Sequence, residues 1–267
     1  MNFMNVLKKF PLSAESIKRV KSNPGKFWLI VLFDVMFLAT VYVLQNMGKY
    51  LAYTMTIPFI TSFIVLAFIF FIAHYLLLLF AYSFFKYCIL DSIRSLFAKS
   101  AFSFKRLGEF YALNISITAI FLIFIFVIGL ALGSIKYEYA PYLFIVFAIA
   151  FFLILYTTLS LSHSFFYNGS SVIGSMKKGF ATTFIKFRHY KEIILVMVIA
   201  ALALWILFAG SGYIVRLVGS KNYMLYLNLY SYLTNATLVV LDILFYFVIL
   251  INSISFYAVA KEQSQAP

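Results

Sequence analysis

The sequence predicts an all-α integral membrane protein, a bundle of six spanning helices with both ends in the cytoplasm. Three observations predict it: an apolar composition, six long apolar runs, and basic residues confined to alternate connectors. Of the 267 residues, 64% are hydrophobic and 11% are charged, whereas soluble domains carry about 25% charged residues. Too few polar side chains remain to cover a globule in water, so the chain must face lipid.

Six apolar runs are long enough to be spans, which need about 20 residues. They cover residues 27–45, 58–84, 110–132, 141–166, 193–208 and 236–257. Pro58 and Pro141 stand at the first turns of the second and fourth runs, where a missing N–H is tolerated. Gly210-Ser211-Gly212 interrupts the fifth run, and we interpret it as a helix end. The alternatives are that the helix continues to Val218 or that the run is a transporter-type hinge.

The lysines and arginines predict the orientation. Seventeen lie before the first run, after the second and fourth, and after the sixth, against four in the remaining connectors. By the positive-inside rule the seventeen face the cytoplasm, and we expect a prokaryotic plasma membrane. The net charge of +13 does not indicate nucleic acid, because the basic residues sit between apolar runs and suit anionic lipid headgroups instead.

A threefold repeat underlies the single polytopic domain 1–267. Each unit, at about 1–84, 85–166 and 167–258, begins with a short amphipathic stretch, and a polar tail 259–267 follows. We interpret these stretches as elbow helices lying flat in the inner headgroup layer, with ordinary connecting loops as the alternative. The basic residues expected to bind anionic headgroups are Arg94, Lys99, Lys177 and Lys178.

The stretch SVIGSMKKGFATTFIKFRHYKEIILVMVIAALAL, residues 171–204, resembles the elbow-and-span unit of a known family. This is the membrane domain found beside some glycerophosphodiester phosphodiesterases, with related six-span families of bacteria and archaea. The resemblance implies a fold and a membrane location. It contributes no catalytic residue, because the phosphodiesterase activity belongs to a separate soluble domain.

Ionisable residues inside spans are candidates for function, since a charge in hydrocarbon is costly. Asp34 and His74 lie about 10 Å and 15 Å from the cytoplasmic ends of their predicted spans. We therefore expect them to touch, with the carboxylate fixing the state of the imidazole. The alternative is that each is satisfied by unrelated neighbours.

Other polar groups have weaker interpretations. Asp242 is expected to form a structural ion pair with Arg216, a substrate site being the alternative. Ser160 and Ser164 either bond within their own helix, the usual case, or line a polar path with Asp34 and His74. His163 is expected at the membrane interface.

No motif of metal, phosphate or nucleophilic chemistry is present. No metal or cofactor is therefore expected, and the single cysteine, Cys88, allows no intramolecular disulfide. Two functions remain open: transport or lipid handling through a polar path, and a non-catalytic organiser that reads anionic lipid and docks a partner or a second copy. An intramembrane enzyme using Asp34 and His74 as acid and base is a third possibility.

Overall fold

The structure, a computed structural model, describes residues 10–54, 61–98, 102–133 and 139–265. The prediction of an all-α chain is confirmed, since the described part forms eight α-helices and no strand. They are α1 Pro11–Ser22, α2 Pro24–Thr54, α3 Thr61–Ser95, α4 Phe104–Gly133, α5 Ala140–Tyr167, α6 Val172–Ile185, α7 Lys191–Val218 and α8 Tyr223–Gln265.

Six of these helices, α2 to α5 with α7 and α8, are long and apolar enough to cross a membrane. They have 28 to 43 residues, and a helix rises about 1.5 Å per residue. The chain is therefore a multi-pass integral membrane protein. Pro141 lies in the first turn of α5, as predicted, whereas Pro58 lies outside the described residues. The three repeats and the orientation stay predictions.

Two of the predicted boundaries are wrong. The middle amphipathic stretch is not a separate elbow helix, because α3 continues without a break to Ser95. The Gly210-Ser211-Gly212 run does not end a helix either, since α7 continues through it to Val218. A helix interrupted inside hydrocarbon would leave backbone groups unsatisfied. Ser211 Oγ instead donates to the Leu207 carbonyl at 2.8 Å.

Short polar side chains mark where several helices begin. Ser103 Oγ accepts from the Arg106 amide at 3.5 Å before α4, and Asn222 Oδ1 accepts from Leu225 at 3.1 Å before α8. Both are N-caps, which satisfy amides that have no partner within the helix. At the end of α5, Gly169 adopts a φ of 101°, a left-handed conformation that glycine adopts without strain.

The chain divides into two compact units. The central unit comprises Arg19–Ile185 with the described residues from Ala260 onwards, and the terminal unit comprises the described residues up to Lys18 with Lys186–Val259. We call the end of a span that is joined to a lysine- and arginine-rich connector its basic end.

In the central unit, α2 packs on α3, α3 on α4 and α5, and α6 covers α4 and α5. The buried side chains lie near the basic ends of the spans, for example Ile93, Phe110 and Leu161. The opposite halves expose most of their apolar side chains. The well-packed core of the central unit therefore lies in the basic halves of its spans.

In the terminal unit, hydrogen bonds join α1 to the start of α7 and to the last part of α8. Glu192 at the start of α7 accepts hydrogen bonds from the backbone amides of Leu12 (3.3 Å) and Ser13 (3.0 Å). The carboxylate thus caps the first turn of α1, where a negative charge is favourable. Ser16 and Ser255 join α1 to α8 through their hydroxyls at 2.9 Å.

Candidate functional site

A chain of hydrogen bonds joins three spans of the central unit near their basic ends. His163 Nε2 on α5 lies 2.7 Å from Asn114 Oδ1 on α4, and Asn114 Nδ2 donates to Ser83 Oγ on α3 at 2.9 Å. Ser83 Oγ donates onward to the Leu79 carbonyl of its own helix at 2.7 Å. The three side chains are at most 1% exposed. We call Ser83, Asn114 and His163 the His163 cluster.

The chemistry of the donors fixes the state of the imidazole. Ser83 gives its proton to a carbonyl, so its lone pair must accept from the amide nitrogen of Asn114. The amide oxygen therefore faces His163, and Nε2 must carry the proton. The second ring nitrogen, Nδ1, is buried and has no hydrogen-bond partner among the described residues. In the neutral imidazole this Nδ1 is an acceptor, so only a group that donates a hydrogen bond would satisfy it.

One positive charge lies beside the cluster. Lys86, nearly one helical turn beyond Ser83 on α3, is close enough for its charge to act on His163. The carboxylate of Asp34 on α2 is in turn close enough for its negative charge to act on Lys86. A charge inside a span is expensive unless it is paired, and the Asp34 carboxylate partly offsets the charge of Lys86.

The predicted contact between Asp34 and His74 is not formed. The His74 ring lies against Gly48 of α2, where an added methyl group would be 2.8 Å from the imidazole. Gly48 is fourteen residues beyond Asp34 in the same helix, or about 21 Å along its axis. The prediction ended the second span at residue 84, but α3 runs eleven residues further, which displaces His74 from the basic end. The two residues therefore cannot act together as acid and base.

The structure does not bring Asp242 and Arg216 together either. Arg216 lines a small cavity with Tyr223 and Tyr226 at the turn between α7 and α8. A second cavity between these helices is lined by Leu204 and Leu241, which puts Asp242 level with the middle of α7. Arg216 is twelve residues further along α7, about 18 Å away along the helix axis.

The hydroxyl groups of α5 bond mainly within their own helix. Ser164 Oγ donates to the Ser160 carbonyl at 2.7 Å, and Thr157 Oγ1 donates to Leu153 at 2.8 Å. Such bonds satisfy the hydroxyls without any water-filled path. Neither Ser160 nor Ser164 belongs to the His163 cluster, although both lie within one turn of His163.

The predicted lipid-binding cations differ in their surroundings. Lys177 and Lys178 are exposed on α6, and Lys178 Nζ lies 3.3 Å from Ser170 Oγ. Arg94 is partly buried, with its guanidinium 6.0 Å from the Tyr167 ring centroid. Lys99 lies outside the described residues.

Three other basic residues close the ends of helices, a role that sequence analysis did not predict. Arg106 donates to the Phe166 carbonyl at 2.9 Å at the end of α5. Lys26 and Arg19 donate to the carbonyls of residues 95 and 96 at the end of α3. The last carbonyls of a helix have no partner within it and carry partial negative charge, so these cations stabilise the basic ends.

An apolar cleft of about 230 Å³ opens between the halves of α4 and α5 that lie away from their basic ends. Between this cleft and the cluster lies Phe121, whose ring centroid is 5.4 Å from that of Phe151 and 6.0 Å from that of Phe180. Phe121 is seven residues from Asn114, about 10 Å along α4. The cleft is lined by Ile125, Ile128, Gly129, Phe144, Phe147 and Phe151.

The burial of His163 could not be predicted from the sequence, because no pattern within α5 shows what covers the end of that helix. His163 was expected at the interface because it lies near the end of its predicted span. In the structure α6 packs over that end, and His163 is buried. Lys86 was counted as a connector residue because the second span was ended too early.

The chain matches no protein-family model, and no curated protein and no solved structure is significantly similar to it. Within the described ranges, no three His, Cys, Asp or Glu residues come together as metal ligands.

Proposed function

We propose that the protein handles a lipid-like substrate within the membrane, in agreement with its expected place in a prokaryotic plasma membrane. The polar head binds at the His163 cluster, and the alkyl chains lie in the cleft between α4 and α5. The observation that carries the proposal is the buried, unsatisfied Nδ1 of His163 on the same helix pair as an apolar cleft.

The chemistry of the cluster defines the polar head. A buried acceptor without a partner costs about 1–3 kcal/mol, so Nδ1 favours a ligand that donates a hydrogen bond, such as a hydroxyl. The positive charge of Lys86 disfavours a cationic head and favours a neutral or anionic one. A hydroxyl-bearing phospholipid such as phosphatidylglycerol has both properties, whereas phosphatidylcholine has no hydrogen-bond donor and carries a quaternary ammonium group.

Lipid handling accounts for the site better than ion transport does. An ion path needs polar groups along the length of a span, and the Ser164 hydroxyl, which was expected to line it, bonds to its own helix. An amphipathic substrate needs polar groups at one depth and apolar surface beyond them, which matches the order of the cluster and the cleft along α4. Phe121 lies between the His163 cluster and the cleft. One lipid can therefore place its head at the cluster and its chains in the cleft only if the Phe121 ring moves aside.

The test is the movement of labelled lipid between the leaflets of vesicles containing the purified chain. We expect labelled phosphatidylglycerol to cross faster than in protein-free vesicles, and labelled phosphatidylcholine to show little acceleration. His163→Phe, which keeps a ring but removes both nitrogens, should slow the phosphatidylglycerol rate about tenfold, the effect of losing about 1.4 kcal/mol of binding.

The matched control is His74→Phe, which changes the same residue type outside the cluster. We expect it to leave the lipid rate within a factor of about two, since His74 is nine residues from Ser83, about 14 Å along α3. Folding of both variants is checked by the protection of Cys88, which is buried, from a thiol-reactive dye. Equal rates for the two lipids, or equal losses in the two variants, would refute the proposal.

A second candidate, a non-catalytic organiser that reads anionic lipid, is favoured by the exposed lysines of α6. Lys177 and Lys178 are adjacent and exposed, and each basic residue near an anionic surface contributes about 1 kcal/mol. Exchanging both for glutamine should weaken binding of anionic lipid without altering phosphatidylglycerol crossing. Weaker binding of anionic lipid in that variant, together with no acceleration of phosphatidylglycerol crossing by the original chain, would favour the organiser.

A further inference from the structure

One face of α8 carries polar side chains at a regular spacing. Counting along the helix, they recur after three, four and seven residues, which places them on one stripe of an α-helix. Apolar residues complete the same pattern between and beyond them. The polar members are Asn228, Ser231, Asn235 and Asp242, and the apolar ones are Leu238 and Phe245. We call these six residues the α8 stripe.

All members of the α8 stripe are exposed. The side chains of the four polar members form no hydrogen bond or ion pair with any residue that the structure describes. The contrast with a neighbouring residue is informative, because Thr234 Oγ1 donates to the Tyr230 carbonyl of its own helix at 2.8 Å. The four polar side chains of the stripe thus lack the hydrogen bond within the helix that Thr234 forms.

The inner part of the stripe lies within the hydrocarbon. Asp242 is level with the middle of α7, and Asn235 is about 10 Å further out along α8. The half-thickness of the hydrocarbon core is about 15 Å. A carboxylate at that depth is disfavoured by several kcal/mol, and such residues almost always face a partner or a water-filled cavity.

We infer that α8 pairs with α8 of a second copy of this chain, with the stripe as the seam. Two copies inserted by the same rule have the same orientation, so their α8 helices run parallel about a twofold axis along the membrane normal. In a parallel pair each stripe residue meets its own counterpart. An Asn amide both donates and accepts, and so does a Ser hydroxyl, so these pairs are self-complementary.

Asp242 fits the same arrangement. Two carboxyl groups that face each other away from water cannot both ionise, and they keep a proton between them. The pair then has one donor and several acceptors, like the asparagine pairs above it. A partner helix from another protein would instead need a lysine or arginine opposite Asp242. The variant Asp242→Asn distinguishes the two cases, because it would weaken that ion pair but not the pairing of two identical chains.

The first test is disulfide crosslinking of the full chain in vesicles, with Cys88→Ser as the background and copper phenanthroline as the oxidant. Phe245→Cys lies on the stripe, and its neighbour Leu244→Cys is equally deep and exposed but points about 100° away around the helix. We expect a crosslinked dimer from Phe245→Cys and little from Leu244→Cys. Equal crosslinking of the two, or none at either, overturns the inference.

The second test measures dimerisation by energy transfer between labelled copies as the protein-to-lipid ratio is varied. Asn235→Leu should weaken dimerisation about threefold to tenfold, as expected for interhelical hydrogen bonds in membranes. Asp242→Asn should dimerise as strongly as the original chain, because an amide pair replaces the shared proton. Loss of dimerisation in Asp242→Asn, or an original chain that stays monomeric at every ratio, overturns the inference. Dye protection of Cys88 confirms that each variant is folded.

Discussion

The hydrogen bond between Asn114 and His163 should hold the central unit together, and a double-mutant cycle can measure it. Asn114→Leu keeps the branching of the side chain but removes the acceptor for Nε2 of His163. Ser83 is not left unsatisfied, because its hydroxyl still donates to a backbone carbonyl. The variant therefore leaves the imidazole with two buried nitrogens and no described partner.

The expected loss in the free energy of unfolding follows from these unsatisfied nitrogens. An unsatisfied buried donor costs about 1–3 kcal/mol, while interhelical hydrogen bonds measured in membranes average about 0.6 kcal/mol and reach about 1.7. We expect Asn114→Leu to lower the free energy of unfolding by about 1–2 kcal/mol. His163→Phe should cost a similar amount, because it leaves the amide oxygen of Asn114 unsatisfied. The double variant should cost about 1 kcal/mol less than the sum, because neither polar partner remains.

The assay is unfolding by a denaturing detergent in mixed micelles, followed by dye labelling of Cys88. This is the single cysteine of the chain and is buried in the folded state. The control cycle pairs Asn114→Leu with His74→Phe, which lies outside the cluster and should be additive within about 0.3–0.5 kcal/mol. Additivity in the His163 cycle as well would refute the hydrogen bond as a stabilising contact.

Three further predictions concern packing, capping and charge. Gly179→Ala should destabilise the central unit by about 1–3 kcal/mol, because the new methyl group would lie 3.1 Å from the α5 backbone. The control is Gly108→Ala, which has open space around it and should be neutral or stabilising in the same unfolding assay. Glu192→Gln should lower stability by about 0.5–1 kcal/mol and make α1 more sensitive to protease, and unchanged cleavage would contradict the cap. Asp34→Asn should destabilise by more than any of these because it leaves a charge uncompensated, and Lys86→Gln in the same chain should restore part of the loss; a double variant no better than Asp34→Asn would argue against the pair.

Composition and apolar runs were sufficient to predict six spans, because length and hydropathy decide whether a helix can cross a membrane. Ends of helices were harder to predict. Amphipathic residues after the second span were interpreted as a new element, although an unbroken hydrogen-bond ladder simply continues to Ser95.

The site was predicted less well because depth was counted from misplaced ends. Asp34 was selected as a charge inside a span, but the charge close to it is that of Lys86, which the early end of the second span had put in a connector. His163 was placed at the interface, since no pattern within α5 shows that α6 covers it. Pairwise register between helices depends on close contacts such as Gly48 against His74, which a single sequence does not reveal.

The alternation of the six spans is the claim on which every depth depends, and labelling of single cysteines on intact cells and inverted vesicles tests it directly. In the Cys88→Ser background, Ser22→Cys and Lys177→Cys are separated by four spans and Ser220→Cys by one more. A membrane-impermeant thiol reagent should modify the first two only in inverted vesicles and Ser220→Cys only in intact cells. Modification of Ser22→Cys and Lys177→Cys from opposite sides would contradict the six-span arrangement.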